Sequence, residues 1–497
     1  MHRFLVSAAR KSSGKTTVSV GLAAELSRRG LAVQAFKKGP DYIDPMWLAA
    51  ATGRACRNLD FNLSTPEQLQ SEFARHGAGA DVCLVEGNKG LYDGLDLQGR
   101  NSNAALAQLL ELPVVLVLDA RGMTRGIAPL ILGYQAFDRT IRIAGVILSR
   151  LGGTRHEAKL RAVIEHYTDV PVLGAMQEDP LLAIAERHIG LTTVGEDDAA
   201  QSRIAALATA VAEQVDLERL LASTAGGAQL RAAPPLARAA RASVRIPQGL
   251  SRPPSRGTEE AGSRPVVVPQ GLPVVVGIAR DRAFGFYYPD DLEALERAGA
   301  ELLFFDTLRD ARLPRVDGLI IGGGFPEMFM RELEANAALR GEIGAAIEAG
   351  MPAYAECGGL MYLARSLSWR GDTRRMVGAI AGDIVMHERP VGRGYVRLAP
   401  TEAHPWGTRG DGPAEIPAHE FHYSSIEGLD PHTRFAYRMA RGFGVDGNAD
   451  GIVVNNLLAT YSHFRSAGSY DWAARFVGFV RQRAGQQAAA PPLAVTH

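Results

Sequence analysis

Short apolar runs alternate with longer amphipathic stretches between residues 4 and 194. The runs cover residues 4–8, 32–36, 82–85, 114–118, 143–148 and 172–175. Continuous apolar runs of this length, separated by segments long enough for a helix, are typical of strands buried on both faces. The pattern therefore predicts an α/β unit with a mostly parallel sheet.

A second alternating pattern begins at residue 274. Its runs cover residues 274–278, 302–305, 318–321 and 352–355, and strand-like runs follow at 395–398, 420–423 and 452–454. Between the two patterns, residues 224–272 are rich in Ala, Pro, Arg, Gly and Ser with little periodicity, which favours an interdomain linker. We therefore predict two doubly wound α/β domains at 1–223 and 273–484, and a flexible Ala/Pro-rich tail at 485–497.

The composition supports two packed cores and excludes several classes of protein. A chain of 497 residues is too long for one core, and its 46% hydrophobic content is ordinary for a globular protein. Lysine plus arginine equals aspartate plus glutamate at 54 each, so no overall field attracts nucleic acid or a membrane surface. The sequence shows neither a signal peptide nor an apolar stretch of about 18 residues, which makes secretion and membrane insertion unexpected.

Only three cysteines occur, at positions 56, 83 and 357, without paired spacing. This spacing argues against a disulfide framework and a cysteine zinc site, and we expect a reducing cytoplasm. Cys56 and Cys83 have apolar surroundings typical of packing residues.

A candidate phosphate-binding loop, Ala-Arg-Lys-Ser-Ser-Gly-Lys-Thr-Thr at residues 9–17, follows the first predicted strand and precedes a helical pattern. Backbone amides of such a loop face a polyphosphate, a lysine adds positive charge and a threonine hydroxyl reaches Mg²⁺. Ala9 occupies the place of the first glycine in the usual pattern. We predict ATP binding by Gly14, Lys15, Thr16 and Thr17.

Two further polar loops follow predicted strands of the same sheet. One contains Asp41, Tyr42 and Asp44, and the other contains Glu86, Lys89 and Asp93. Loops at the carboxyl ends of parallel strands line a common crevice, and carboxylates there can hold Mg²⁺ on a nucleotide. For the three aspartates, the alternative is turn capping beside glycine or proline.

Cys357 lies at a predicted strand-to-helix junction between small residues, where a sharp turn exposes a nucleophile and a helix N-terminus favours the thiolate. A glycine-rich turn at residues 322–327 is suited to presenting amides to an oxyanion. His463, after a strand-like segment near the end of the second domain, is the candidate general base. The competing histidines are His387, His404, His419 and His422.

Through these motifs the chain resembles the cobyrinic acid a,c-diamide synthase family over nearly its whole length. The matching segments are residues 13–17, 38–45, 86–87, 90–94, 322–327, 356–359 and 419–424. The resemblance implies a dethiobiotin-synthetase-like P-loop domain and a flavodoxin-like class I glutaminase domain of a subtype without the usual acidic triad member. Cys357 and His463 are then expected to form a dyad, with amides near Gly323 and Gly358 as the oxyanion site.

The same resemblance implies glutamine- and ATP-dependent amidation of the a- and c-acetates of cobyrinic or hydrogenobyrinic acid through acyl phosphates. The expected ligands are Mg²⁺, ATP, glutamine and a polycarboxylate tetrapyrrole, in a cytoplasmic protein that could form a homodimer. The implied residue roles are metal or phosphoryl transfer for Thr16, Asp41 and Glu86, and substrate contacts for Tyr42, Asp44 and Asp93.

The chain departs from the family pattern at two places. Asn88 and Lys89 replace two apolar residues, and Lys89 could therefore meet a different substrate carboxylate; Ser149 and Arg150 stand where asparagine is more usual. Amidation of sirohaem, sirohydrochlorin or nickel-sirohydrochlorin is therefore an open alternative. Two further alternatives are a P-loop ATPase for partition or metal delivery, which has no use for Cys357, and a degenerate glutaminase domain, which the intact Cys357 and His463 argue against.

Overall fold

The computed structural model describes residues 1–187, 190–225, 273–407, 413–466 and 470–489. Almost all of the predicted linker at 224–272 and the last eight residues of the predicted tail lie outside this part of the chain. The final helix continues to Ala489.

A seven-stranded parallel sheet is the centre of the N-terminal half, and its strand order is β3-β2-β4-β1-β5-β6-β7. Its strands are β1 (His2–Ala8), β2 (Val33–Lys38), β3 (Arg57–Leu59), β4 (Val82–Glu86), β5 (Val114–Asp119), β6 (Ile143–Leu151) and β7 (Val172–Gln177). All six predicted runs form strands. The three-residue β3 was missed because it is too short to show a hydrophobic pattern.

Helices cover both faces of this sheet, which explains why its strands are nearly continuously apolar. The helices are α1 (Lys15–Arg28), α2 (Ile43–Thr52), α3 (Pro66–Gly77), α4 (Asn103–Leu109), α5 (Ile127–Phe137), α6 (Thr154–Tyr167), α7 (Ala200–Gln214) and α8 (Leu217–Thr224). One hydrophobic core joins α1, α2, α7 and α8 to the sheet. A second core joins α3, α4, α5 and α6 to the sheet. A 3-10 turn (Pro180–Leu182) and a hairpin of β8 (Glu186–Arg187) and β9 (Gly190–Leu191) precede α7.

The C-terminal half is built on a nine-stranded mixed sheet of order β12-β10-β13-β15-β24-β23-β22-β19-β20. The strands of this half are β10 (Val274–Ala279), β11 (Phe284–Phe286), β12 (Ala300–Phe305), β13 (Gly318–Ile321), β14 (Gly323–Gly324), β15 (Ala353–Glu356), β16 (Ser366–Trp369), β17 (Asp372–Arg375), β18 (Asp383–Met386), β19 (Gly392–Pro400), β20 (Ile416–His422), β21 (Ser424–Glu427), β22 (Arg434–Arg441), β23 (Ala449–Val454) and β24 (Leu457–Thr460). The first five strands in the sheet order are parallel, as predicted, and the remaining neighbours pair antiparallel.

Helices α9 (Pro289–Arg297), α10 (Met330–Ala335), α11 (Ala337–Glu348), α12 (Gly358–Leu363) and α13 (Trp472–Ala489) pack against these strands, and a 3-10 turn (Pro326–Phe329) precedes α10. A four-stranded sheet, β17-β16-β18-β21, and the β11-β14 pair flank the main sheet. Within the described residues, no helix combines the length and apolar character needed to cross a membrane.

Charged and polar side chains connect the two halves. Arg57 of the N-terminal half and Arg465 of the C-terminal half both donate to Asp290, at 2.7 and 2.9 Å. The hydroxyl of Tyr395 donates to Asp60 across the same boundary at 3.0 Å. Because these groups are largely removed from water, their hydrogen bonds hold the loops at the carboxyl ends of both parallel sheets against each other.

Candidate active site

The phosphate-binding loop turns sharply between β1 and α1. Gly14 has a left-handed φ of 82° and caps α1 without a side-chain hydrogen bond, so the first amides of the helix remain available to an anion. The hydroxyl of Ser149 donates to the carbonyl of Ser13 at 2.8 Å, and Arg150 donates to that of Ser12 at 2.8 Å. Ser149 and Arg150, which stand where asparagine is more usual, therefore support this loop.

Lys15 and Thr16 follow the loop and face a buried acidic cluster. Burial and the nearby ammonium of Lys37 lower the pKa of Lys15 to about 8. The hydroxyl of Thr16 donates to Glu86 at 2.8 Å and lies 3.3 Å from Asp44. These contacts bring together residues from three separate loops, as the strand pattern predicted.

Lys37 is the centre of the acidic cluster, and sequence reasoning assigned it no role. Its ammonium pairs with Asp44, donates to Glu86 at 3.0 Å and lies 3.8 Å from Asp41. Burial opposes its charge, but the three carboxylates hold the pKa of Lys37 well above its usual range. The position of Lys37 at the carboxyl end of β2 was the available signal.

The carboxylates of this cluster have different proton affinities. Burial raises the pKa of Glu86 to about 7 against the attraction of Lys37. Burial and the charge of Asp44 raise the pKa of Asp41 to about 6. For Asp44, burial acts in the same direction, but the ammonium of Lys37 outweighs it and lowers the pKa.

The donors in this cluster suit a hard divalent cation. Thr16, Asp41, Asp44 and Glu86 offer oxygen atoms, which Mg²⁺ prefers. Oε2 of Glu86 is buried and has no hydrogen-bond partner among the described residues, so it is free to accept one more interaction. The residues present therefore fit Mg²⁺, although Lys37 now occupies the space between the carboxylates.

Cys357 lies at the junction of β15 and α12, as predicted. Its φ of 46° and ψ of −98° place a non-glycine residue in a strained conformation, which costs roughly 1–3 kcal/mol and is typical of functional turns. The thiol is 8% exposed and faces a cavity. The amides of the N-terminus of α12 begin directly after Cys357.

The imidazole of His463 and the thiol of Cys357 lie in the wall of the same cavity. Nδ1 of His463 lies 3.2 Å from Oε2 of Glu356. Burial opposes the imidazolium, yet the hydrogen bonds to Cys357 and Glu356 and their charges raise the pKa of His463 to about 10. The arrangement suits His463 to act as the base that takes the proton of a nucleophilic thiol.

The predicted dyad of Cys357 and His463 stays a prediction, and a carboxylate lies beside it. Glu356 is the residue before Cys357, and its other oxygen accepts from Tyr354 at 2.5 Å and from the amide of Phe464 at 3.1 Å. Parallel pairing of β15 with β24 places Glu356 beside Thr460, which brings the carboxylate to the histidine. Arg465, and not an acid, stands two residues after His463.

The predicted oxyanion residues, Gly323 and Gly358, lie beside His463 and Cys357. A Cβ on Gly323 would approach Cε1 of His463 to 2.8 Å, and one on Gly358 would approach the amide nitrogen of Gly324 to 2.9 Å. Side chains are therefore excluded from both positions. The backbone can approach a small ligand closely here, which an oxyanion site requires.

Of the competing histidines, His419 comes nearest to the site. Its ring stacks on that of His463 with centroids 4.9 Å apart. Burial, and to a lesser extent the charge of His463, holds the pKa of His419 well below its usual range. The His419 ring that packs on His463 is therefore uncharged. His404 donates to or accepts from Tyr437 at 2.8 Å in the core, and His387 contacts Ser425 at the surface.

One cavity of about 690 Å³ contains both sites. Its wall includes, from the N-terminal half, Lys11, Ser12, Lys15, Thr16, Lys37, Asp41, Tyr42, Asp44, Glu86 and Lys89, and from the C-terminal half, Cys357, Arg393, His419, Phe421 and His463. Among the described residues, Asp93 is not part of this wall. Its Oδ2 accepts from the amide of Gly90 at 3.0 Å, and this contact agrees with turn capping.

Comparisons with known proteins cover both halves. The family model of the CobQ/CobB/MinD/ParA nucleotide binding domain matches residues 6–191, and that of the CobB/CobQ-like glutamine amidotransferase domain matches residues 275–469. The second match is not explained by a partition or metal-delivery ATPase.

Full-length relatives give the same result. The cobyrinate a,c-diamide synthase of Magnetococcus marinus is 45% identical over 97% of this chain and 97% of its own length. The enzyme of the same name from Methanosarcina acetivorans is 40% identical over 96% of this chain and 94% of its own. That of Listeria monocytogenes serotype 4b is 37% identical over 93% and 96%.

Proposed function

The chain belongs to the cobyrinate a,c-diamide synthase family, and on this basis we propose that it amidates the a- and c-acetate carboxylates of cobyrinic or hydrogenobyrinic acid. Glutamine supplies the nitrogen, ATP activates each carboxylate, and the product belongs to cobalamin biosynthesis. We assign ATP and tetrapyrrole binding to residues 1–223 and the glutaminase to residues 273–484. Cytoplasmic location and homodimer formation stay predictions from the sequence.

The shared cavity is the observation that carries this proposal. Cys357 and His463 lie on one wall, and Lys15, Thr16 and Glu86 lie on another. Ammonia released at the thiol therefore has an activated carboxylate in the same cavity. A protein that used only one of the two sites would not need this juxtaposition.

In the glutaminase reaction, the thiolate of Cys357 attacks the side-chain carboxamide of glutamine and forms a carbon-sulfur bond. The carbonyl oxygen becomes an oxyanion beside the amides near Gly323 and Gly358. His463 gives a proton to the leaving nitrogen, the carbon-nitrogen bond breaks and ammonia departs. Water then hydrolyses the thioester with His463 as base, which releases glutamate and restores the thiol.

In the synthetase reaction, a substrate carboxylate attacks the γ-phosphorus of ATP, and ADP leaves. Ammonia then attacks the acyl phosphate carbon, and inorganic phosphate departs. The phosphates are held by Gly14, Lys15, Thr16 and Thr17, and the ammonium of Lys15 supplies positive charge to them. When bound by Thr16, Asp41 and Glu86, Mg²⁺ would neutralise phosphate charge. The ammonium of Lys37 lowers the pKa of Asp44 and so keeps that carboxylate ionised.

The cavity wall also fits a large substrate with several carboxylates. Lys11, Lys89 and Arg393 contribute positive charge from both halves of the chain. Phe421 and other apolar side chains provide surface for a macrocycle, and the guanidinium of Arg393 lies 5.6 Å from the Phe421 ring centre. We propose that Tyr42, Asp44 and Lys89 contact this substrate.

The test is incubation of the full chain with Mg-ATP, glutamine and separate acids: cobyrinic, hydrogenobyrinic, and sirohydrochlorin-type with and without metal. Mass spectrometry counts the amides gained. Two amides on a cobyrinic-type acid support the proposal. Amidation of sirohydrochlorin-type acids alone would replace the substrate with the alternative left open by the sequence, and no amide on any acid would refute it.

A further inference from the structure

Tyr42 crosses the boundary between the two halves of the protein. It precedes α2 in the N-terminal half, and its ring stacks on Phe286 of the C-terminal half, with centroids 5.0 Å apart and an interplanar angle of 3°. The ring of Tyr288 lies 4.4 Å away. These contacts anchor the side chain of Tyr42 within the glutaminase.

The hydroxyl of Tyr42 reaches the general base. It lies 3.3 Å from Nδ1 of His463, and Oε2 of Glu356 lies 3.2 Å from the same nitrogen. Because Nδ1 must carry a proton to donate to the carboxylate, the tyrosine oxygen is its second acceptor. This leaves Nε2 for Cys357, while His419 stacks on the ring face.

The backbone on either side of Tyr42 belongs to the acidic cluster. Oδ1 of Asp41 accepts from the amides of Ile43 and Asp44 at 3.0 and 3.1 Å, so the carboxylate spans Tyr42. Asp44 in turn pairs with Lys37. A ligand that draws Asp41 or Asp44 away from these partners changes the backbone that holds the Tyr42 ring.

We propose that Tyr42 is a positioning residue that the ATP-binding half supplies to the glutaminase, and that ligand binding at the acidic cluster reaches His463 through it. This role adds to the substrate contact proposed above and rests on the proposed roles of Cys357 and His463. Glutamine hydrolysis then depends on a side chain from the opposite half of the chain. Nitrogen release is thereby linked to occupancy of the site that consumes it.

Tyr42→Phe in the full chain removes the hydroxyl and keeps the stacked ring. Tyr395→Phe is the matched control, because it removes another hydroxyl that crosses the boundary, at 3.0 Å from Asp60, without contacting His463. Glutamate release is measured against glutamine concentration and pH, with and without Mg-ATP plus cobyrinic acid. Ammonia-driven amidation and the thermal midpoint are measured for each variant.

For Tyr42→Phe we expect kcat for glutamine hydrolysis to fall about tenfold, the loss typical of one hydrogen bond to a charged group, with the KM for glutamine changed less than about twofold. The imidazolium loses an acceptor, so the alkaline limb of the pH profile moves to lower pH by about one unit. Wild type should respond to Mg-ATP and acid by about fivefold or more, and Tyr42→Phe should not respond. Ammonia-driven amidation should fall less than glutamine hydrolysis does, because Tyr42 is also a proposed substrate contact.

A Tyr42→Phe protein that matches Tyr395→Phe in kcat, pH profile and ligand response would overturn the inference. Equal loss of ammonia-driven amidation would also overturn it. If wild type itself hydrolyses no glutamine, the proposed function fails instead. Should Tyr42→Phe not fold, Phe286→Leu frees the same ring from the C-terminal side, and a normal ligand response in that variant would count against the inference.

Discussion

Glu356→Gln examines the assignment of Glu356 as the acid that orients the catalytic histidine. The carboxylate accepts from Nδ1 of His463 at 3.2 Å, and glutamine keeps nearly the same volume without the charge. The amide oxygen of glutamine can still accept from the amide of Phe464, which now donates to Glu356 at 3.1 Å. That orientation turns the NH₂ group toward His463.

The NH₂ group would then donate to Nδ1, so the imidazole proton moves to Nε2, which faces the thiol. In that tautomer the histidine cannot accept the proton of Cys357. A charge-assisted hydrogen bond contributes about 1.5–3 kcal/mol, equivalent to roughly 10–150-fold in rate. We therefore expect kcat for glutamine hydrolysis to fall by about two orders of magnitude.

Steady-state glutamate release measures this loss, and ammonia-driven amidation of the same preparation should stay within about twofold of wild type. Glu420→Gln is a matched control, since Glu420 is a buried carboxylate of the same half that accepts from the amides of Phe443 and Gly444 at 2.8 Å. Glutamine hydrolysis by Glu356→Gln within a factor of about two of wild type would refute the reasoning, because Cys357 and His463 would then act as the dyad expected from sequence.

Three other predictions concern the two sites. Cys357→Ala should abolish glutamine-driven amidation and spare the ammonia-driven reaction; mass spectrometry of the tetrapyrrole checks both, and loss of both would contradict the division of labour. Lys37→Met leaves buried carboxylates unpaired, so the free energy of unfolding in urea at pH 8 should fall by about 3–5 kcal/mol. Neither glutamine nor ammonia should then support amidation. An unchanged unfolding midpoint would show that Lys37 does not compensate the charge of these carboxylates. Because the pKa of His463 is raised to about 10, its charged form stabilises the fold fully below about pH 6.5, and this contribution is lost as pH rises through about 10. The free energies of unfolding of wild type and His463→Gln, measured in urea, should therefore converge over that range. A constant difference between the two proteins would contradict this prediction.

Much of the candidate site could be predicted from sequence because its parts are local. Gly14 and Lys15 lie between a strand and a helix, and Cys357 lies at another such junction. In each case neighbouring residues specify a turn whose amides face outward. Chemistry that depends on one short segment leaves a recognisable pattern in the order of residues.

Residues whose roles depend on distant partners were missed or misread. Lys37 neutralises carboxylates from two other loops, and Glu356 meets a histidine 107 positions away. The bond from the amide of Gly90 to Asp93 fits turn capping, and the substrate role of Asp93 stays a prediction. A local sequence pattern does not show which carboxylates will pair with the ammonium of Lys37.

The alternation of apolar runs and helical stretches by itself determined the two α/β halves, because strands buried on both faces must be continuously apolar. Tertiary structure decided that the antiparallel strands β19, β20, β22 and β23 extend the second sheet, and that the carboxyl ends of the two sheets face one another. Hydrophobic periodicity records only whether a residue is buried, whereas the contact of Tyr42 with His463 depends on the relative placement of two separately patterned cores.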